Sequence, residues 1–403
     1  MLLIKNVQDI TGKVQQIEID STNTQEIDGA GLTLLPAVID PHVHFRTPGM
    51  EYKEDWRTGA RSALRGGCTT VFDMPNTVPP TITSELLSEK QQLIDAQLKA
   101  ANIPLRYALF FGADKHHLSE ISKVKDHIIG IKVFMGCSTG NLVIDNDESL
   151  HAVFEIAAQH DLLVAVHAED EELMRMKRKN YQGPMTYAAH SVLRDIEVAT
   201  AAVTKAISLS KQYGTRLYIL HVSSAEEIVL ISDAKKAGLP VYAETTPHHL
   251  FFDTSIYEHL NGRAVVNPPL RAASHRTNLF DAIHAGIIDT IGSDHAPHTI
   301  EEKEREYGHC PSGMPGIEFI LPLLLNAASQ KLLSLEQVTA LTSRRAREIF
   351  RLPYNEDIVL VDLKKTMTVE KTYSKCQWTP YQGLTLQGWP IYTILNGQLF
   401  ECE

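Results

Sequence analysis

A chain of 403 residues with 43% hydrophobic and 22% charged content has the make-up of an ordinary globular protein, long enough to bury one large core and a smaller second one. Its formal net charge of -11 argues against nucleic acid or an anionic membrane as the main partner, because both ask for basic surface; a small anionic ligand stays compatible, since a pocket can oppose the global sign. The five cysteines (Cys68, Cys137, Cys310, Cys376, Cys402) are scattered and form no CxxC, which argues against a disulfide framework and fits a reducing cytoplasm.

The first six residues lack a basic region followed by a long apolar core, so no signal peptide is expected. Residues 1–33 carry short alternating strands at 3–6 and 14–19. Eight apolar runs then read as strands: 34–44, 69–74, 105–111, 129–135, 162–167, 216–221, 240–245 and 288–294. Amphipathic or Ala-rich stretches at 54–65, 84–100, 150–160, 194–213 and 224–237 read as helices between them. Alternation of β and α units implies a parallel sheet, and eight such units imply an α/β fold closed into a (β/α)8 TIM-like barrel over residues 34–354. The alternative, an open doubly wound sheet, lacks its usual mark: no GxGxxG follows the first strand. A loop at 299–316, rich in charge, Pro and Gly, follows the eighth strand, and loops of that length are often functional. From 355 the chain returns to short strands at 358–361, 367–369 and 390–395, the last followed by Asn396-Gly397, a strong hairpin signal. Both ends, 1–33 and 355–403, are expected to share one small β-sandwich domain with the barrel inserted between them. No uncharged apolar run approaches about 18 residues, so no transmembrane helix is expected.

In a barrel of this kind, chemistry sits where strands end. The first run ends in Asp40-Pro41-His42-Val43-His44-Phe45-Arg46. Residues i and i+2 of a strand point the same way, so His42 and His44 present two imidazoles to one point and Arg46 adds a fixed positive charge nearby. The fifth run ends in His167, the sixth in His221 and the eighth in Asp294-His295, while Lys132 is embedded in the apolar fourth. A single strand-end histidine is ordinarily structural. Four histidines and an aspartate on four strand ends read as metal ligands. Buried lysine is costly and loses its proton more easily. One reading of Lys132 is an ion pair or a snorkelling side chain. The other is that its neutral amine takes up carbon dioxide to form a carbamate, whose two oxygens bridge a pair of metals. Imidazole-rich ligation with carboxylates favours zinc.

These residues resemble the amidohydrolase superfamily and, within it, the dihydroorotase group. The resemblance covers essentially the whole chain. It rests on the HxHxR element at 42–46, Met74-Pro75-Asn76-Thr77, Gly130-Ile131-Lys132-Val133-Phe134-Met135, Val166-His167-Ala168-Glu169 and Leu220-His221-Val222-Ser223. Pro247-His248-His249-Leu250, Asn267-Pro268-Pro269-Leu270-Arg271 and Ser293-Asp294-His295-Ala296-Pro297-His298-Thr299 complete it.

The resemblance implies two Zn2+ per chain. His42 and His44 would hold one with Asp294, His167 and His221 the other, and carboxylated Lys132 (N6-carboxylysine) would bridge them. It implies that Arg46, Asn76 and His298 hold a substrate carboxylate, with Asn267 and the Ser312-Gly313 backbone as further pocket positions. The implied activity is reversible cyclisation of N-carbamoyl-L-aspartate to L-dihydroorotate in pyrimidine biosynthesis, with a metal-bridging hydroxide as nucleophile and Asp294 as catalytic proton carrier. Some bacterial members look to carry an aspartate where the carboxylated lysine stands; Lys132 points to the carbamate form. His248, His249 and His295 are expected to support the metal ligands through hydrogen bonds. Ser138 or Thr139, in the segment after Lys132, either touch the ligand or belong to an ordinary loop. Two other readings stay open. One is another cyclic amidase, such as an allantoinase or dihydropyrimidinase, which usually lacks this arginine. The other is a non-catalytic scaffold, whose members generally look to have lost metal ligands. Relatives suggest a homodimer, and no nucleic acid or membrane partner is expected.

Overall fold

The computed structural model describes residues 1–21, 24–136, 142–144 and 146–402. The N-terminal strands are β1 Leu2–Gln8, β2 Val14–Ile19, β3 Gln25–Asp28 and β4 Thr33–Pro36. Eight strands follow: β5 Val38–Val43, β6 Cys68–Asp73, β7 Arg106–Gly112, β8 Gly130–Phe134, β9 Leu163–His167, β10 Arg216–Ile219, β11 Val241–Thr245 and β12 Thr290–Ile291. The tail adds β13 Ile358–Thr368, β14 Thr385–Leu395 and β15 Gln398–Glu401.

Strands β5 to β12 form one sheet in sequence order, each paired in parallel with the next. Closure runs through residues just past the last strand: Val43 bridges His295, and His44 N donates to His295 O at 2.8 Å. Such strands are buried on both faces, which is why they read as nearly continuous apolar runs. Helices cover the outside because their apolar residues recur every three or four positions. The Ile196–Tyr213 helix buries Val198, Ala199, Ala202, Val203, Ala206 and Leu209 and starts on Asp195, whose carboxylate accepts from Val198 N. The barrel interior is plugged from one end by Phe350, whose ring lies 4.8 Å from Phe72 and 5.1 Å from Tyr218, edge-on to both. That leaves the carboxyl ends of the strands as the open face.

The second sheet has seven strands drawn from both chain ends, in the order β15-β14-β13-β4-β1-β2, with β3 paired to β1. The Asn396-Gly397 turn joins β14 to β15 as an antiparallel hairpin. The run at 34–44, expected as one strand, is two. Thr33–Pro36 pairs antiparallel with β13 in the end sheet, and Val38–Val43 opens the barrel, so the chain changes sheets at Ala37. Proline has no N–H to give a ladder, which makes Pro36 a natural stop. The eighth barrel strand is shorter than expected, only Thr290–Ile291. Among the described residues, no helix is long and apolar enough to cross a membrane.

Candidate active site

The strand ends bring His42, His44, His167, His221 and Asp294 to the open face, with Lys132 beside them from the middle of β8, all buried. His42 and His44 turn Nε2 toward Asp294, at 3.3 and 3.1 Å. Among the described residues, donor atoms of these three side chains lie within 4.8 Å of one another. The remaining nitrogens are fixed from behind: His42 Nδ1 is 2.8 Å from Glu244 Oε1, and His44 Nδ1 is 2.8 Å from Asn76 Oδ1. A proton on each Nδ1 leaves each Nε2 lone pair facing inward, the form a metal needs. Burial lowers His42 to about 3 and His44 to about 4, so both are neutral donors. Burial opposes ionisation of Asp294, yet His42, His44 and His221 around it hold its carboxyl well below the usual range.

His167 and His221 form the second pair, Nδ1 of the first 2.9 Å from Nε2 of the second. Glu169 Oε2 fixes the far side of His167 at 2.8 Å and is itself ion-paired with Arg194. The His221 ring centroid lies 5.5 Å from that of His42, so the two pairs adjoin. His221 Nδ1 is buried without a hydrogen-bond partner. Lys132 Nζ sits 4.6 Å from the Phe134 ring centroid, and burial brings its amine down to about 7 against the pull of Asp294 and Glu244. A substantial neutral fraction is then available near neutral pH.

Three site residues hold backbone angles that side chains seldom adopt: Arg46 (φ 63°), His221 (φ 40°) and Asp294 (φ 44°). Strain of this kind persists where surrounding contacts enforce it. Next to Asp294, the backbone at Ser293 is held by Asp40. Its carboxylate accepts from His42 N at 3.1 Å and from Ser293 N at 3.0 Å, and also from the Ser293 hydroxyl. One buried acid therefore locks the first strand end to the eighth.

His44 and Asp294 line a narrow cavity together with Arg46, Asn76, Asn267, Ala296, Ser312 and Gly313. Arg46 Nε donates to Pro297 O at 3.1 Å, and a terminal nitrogen lies 3.1 Å from His298 Nε2. His298 is wholly buried and stands behind Arg46. Gly313 has φ 132°, and a Cβ there would meet Ala296 O at 2.6 Å, so glycine is what lets this backbone approach the cavity. Ser138 and Thr139 lie outside the described residues.

The support expected from three further histidines is found elsewhere. His249 bonds Thr246 Oγ1 and Pro268 O, and His295 bonds Glu54 and Gly316 N. His248 has both ring nitrogens buried and unpartnered. None of the three side chains hydrogen-bonds the side chain of a candidate ligand. Glu244, Asn76 and Glu169 do so instead. Glu244 had a legible signal, since it is an acid next to the end of the β11 run, and burial raises its carboxyl to about 8.

Residues 33–400 match the amidohydrolase family model. The chain is 32% identical to a dihydroorotase of Methanosphaera stadtmanae, covering 99% of this chain and 96% of that protein. It is 35% identical to a dihydroorotase of Halobacterium salinarum, covering 98% and 96%. Among solved structures, an L-hydantoinase (dihydropyrimidinase) from Arthrobacter aurescens superposes with a TM-score of 0.92 at 26% identity, covering 99% of this chain and 95% of that one. A dihydropyrimidinase from Brevibacillus agri gives 0.86 at 26%, covering 98% and 94%. The chain belongs to the amidohydrolase family, as a (β/α)8-barrel hydrolase acting on cyclic amides. Within that family its sequence places it with the dihydroorotases.

Proposed function

We propose that this chain interconverts N-carbamoyl-L-aspartate and L-dihydroorotate at the cavity shared by Asp294 and Arg46. The observation that carries the reading is the presence of a guanidinium in the same small cavity as a candidate metal-ligand set. A guanidinium grips a carboxylate through two parallel N–H bonds, and the ring carboxylate is what separates dihydroorotate from uncharged cyclic amides. Asn76, Asn267 and the Ser312-Gly313 backbone surround the same space and would orient the ring. His298 would act from behind Arg46.

The donor set suits a borderline divalent cation such as zinc. His42, His44 and Asp294 would hold one ion, His167 and His221 a second, with Lys132 as carbamate between them. When bound, such a pair would activate water near neutral pH and polarise the ring amide carbonyl. In the hydrolytic direction Asp294, a carboxylate in the free site, takes the proton released by the attacking water and delivers it to the leaving ring nitrogen. In the synthetic direction it starts protonated. The three buried cysteines Cys68, Cys376 and Cys402 are free thiols, which supports a reducing compartment.

A substrate panel tests the reading. The metal-loaded enzyme should turn over L-dihydroorotate, and Arg46→Ala should reduce kcat/KM on it by at least about 100-fold, the scale of a lost charge-assisted pair. Uncharged hydantoins or dihydropyrimidines as the preferred substrates, unaffected by that change, would favour the hydantoinase-like reading instead.

A further inference from the structure

Behind Arg46 lies a charge arrangement that the reaction above does not use. His298 is wholly buried, and each ring nitrogen faces one cation and one acceptor. Nε2 is 3.1 Å from an Arg46 terminal nitrogen and 3.0 Å from Ser312 O. Nδ1 is 3.0 Å from Lys53 Nζ and 3.4 Å from Glu302 Oε2. Ammonium and guanidinium groups only donate, and a neutral imidazole has a single lone pair to offer. His298 therefore satisfies one of its two cations and not both. Burial and Arg46 hold it well below the ordinary histidine range, so the doubly protonated form is no way out.

Two tautomers remain. With the proton on Nδ1, His298 donates to Glu302 and accepts from Arg46, but it sets an N–H against the Lys53 ammonium. With the proton on Nε2, it donates to Ser312 O over a shorter distance and accepts from Lys53; one Arg46 N–H then faces another N–H. Glu302 has little need of the imidazole. Its carboxylate already accepts from Lys53 Nζ at 3.0 Å, from the Tyr52 hydroxyl at 3.3 Å and from Thr299 N at 3.1 Å, the last through the capping box of the Ile300–Lys303 turn. The remaining charge near His298, Lys303, is occupied with Val265 O and Pro311 O. The second tautomer is better matched at Lys53 and Ser312; it turns the Nδ1 lone pair toward Glu302 Oε2, 3.4 Å away and already supplied with donors, and it leaves Arg46 short of an acceptor that a carboxylate in the cavity supplies.

We propose that Lys53 is a positioning residue: it keeps the His298 proton on Nε2 and so leaves an Arg46 N–H uncommitted until a substrate carboxylate arrives. The inference rests on the reading that the cavity takes a carboxylated ring. It also accounts for discrimination, because a ring without the carboxylate leaves that buried N–H unsatisfied. Without the Lys53 cation, His298 turns its proton to Glu302, accepts from Arg46, and competes with substrate.

The test compares the metal-loaded wild type with Lys53→Met and Lys53→Arg. Lys53→Met should raise KM for L-dihydroorotate about tenfold, with kcat within about twofold, the pattern of lost uniform binding. Lys53→Arg, which keeps a donor-only cation, should recover most of the loss. Long-range 1H–15N spectra of the histidine rings should show His298 protonated at Nε2 in the wild type and at Nδ1 in Lys53→Met. An unchanged KM in folded Lys53→Met, or an Nδ1 proton in the wild type, would overturn the proposal. A wild type that turns over neither L-dihydroorotate nor N-carbamoyl-L-aspartate would sink the reaction reading instead, and the ring spectra would still decide what Lys53 does.

Discussion

His42 and His44 meet a carboxylate, whereas His167 and His221 meet each other. In the first pair both Nε2 atoms turn toward Asp294, and Glu244 and Asn76 anchor the rings from behind. In the second pair the carboxylate, Glu169, lies on the far side of His167 and is shared with Arg194. The charged groups acting on the pair from its inner side are Asp294, which raises His221, and Lys132, which depresses both histidines further. A divalent cation among neutral imidazoles alone lacks charge balance in a buried site. On the two-metal reading proposed above, converting the Lys132 amine to a carbamate would reverse the sign at the place where the second pair is deficient. The first half-site would then be complete as folded, and the second would depend on a chemical modification that a lowered amine pKa permits.

The largest effect should come from breaking the complete half. Asp294→Asn keeps the shape but removes both the anionic ligand and the proton carrier, and kcat should fall by at least about 1,000-fold in both directions. Unchanged turnover would remove Asp294 from the mechanism. Next is Lys132→Met, which leaves the first half intact. Bound zinc, measured by elemental analysis of the folded protein, should drop from two ions per chain to one; two ions retained would mean that Lys132 bridges nothing.

A smaller effect separates the anchors behind the histidines. Glu244→Gln should weaken the first zinc about 10- to 100-fold and Glu169→Gln the second, each read by competition with a chelator. If both changes weakened the same ion, the two-half description would be wrong. The smallest effect is on pH. On the proposed mechanism, Asp294 would serve hydrolysis as a carboxylate and cyclisation as an acid. Because Asp294 is held well below the usual carboxylate range, hydrolysis of L-dihydroorotate should stay level as pH rises above that range, whereas lowering pH should speed cyclisation of N-carbamoyl-L-aspartate. Parallel profiles in the two directions would contradict the shared-proton assignment.

Much of the site was legible because a parallel strand buried on both faces has nowhere to put an imidazole except at its end. That constraint alone marks His42, His44, His167, His221 and Asp294 as neighbours on one face of the barrel, and it makes Lys132 conspicuous. The same logic applied to Glu244, one residue from the end of β11, but the nearby histidines at 248 and 249 carried the more familiar chemical signal and drew the supporting role to themselves.

The sequence by itself determined the order of the elements, the barrel and the residues at its open end, since period and burial are local properties of each strand. Only the tertiary structure decided which acid stands behind which histidine, that residues 33–36 and 38–43 belong to different sheets, and that Arg46 shares His298 with Lys53. Those pairings join residues as much as 252 positions apart, such as Arg46 and His298. No periodicity encodes them, because they arise when closure of the barrel brings the first and eighth strands side by side.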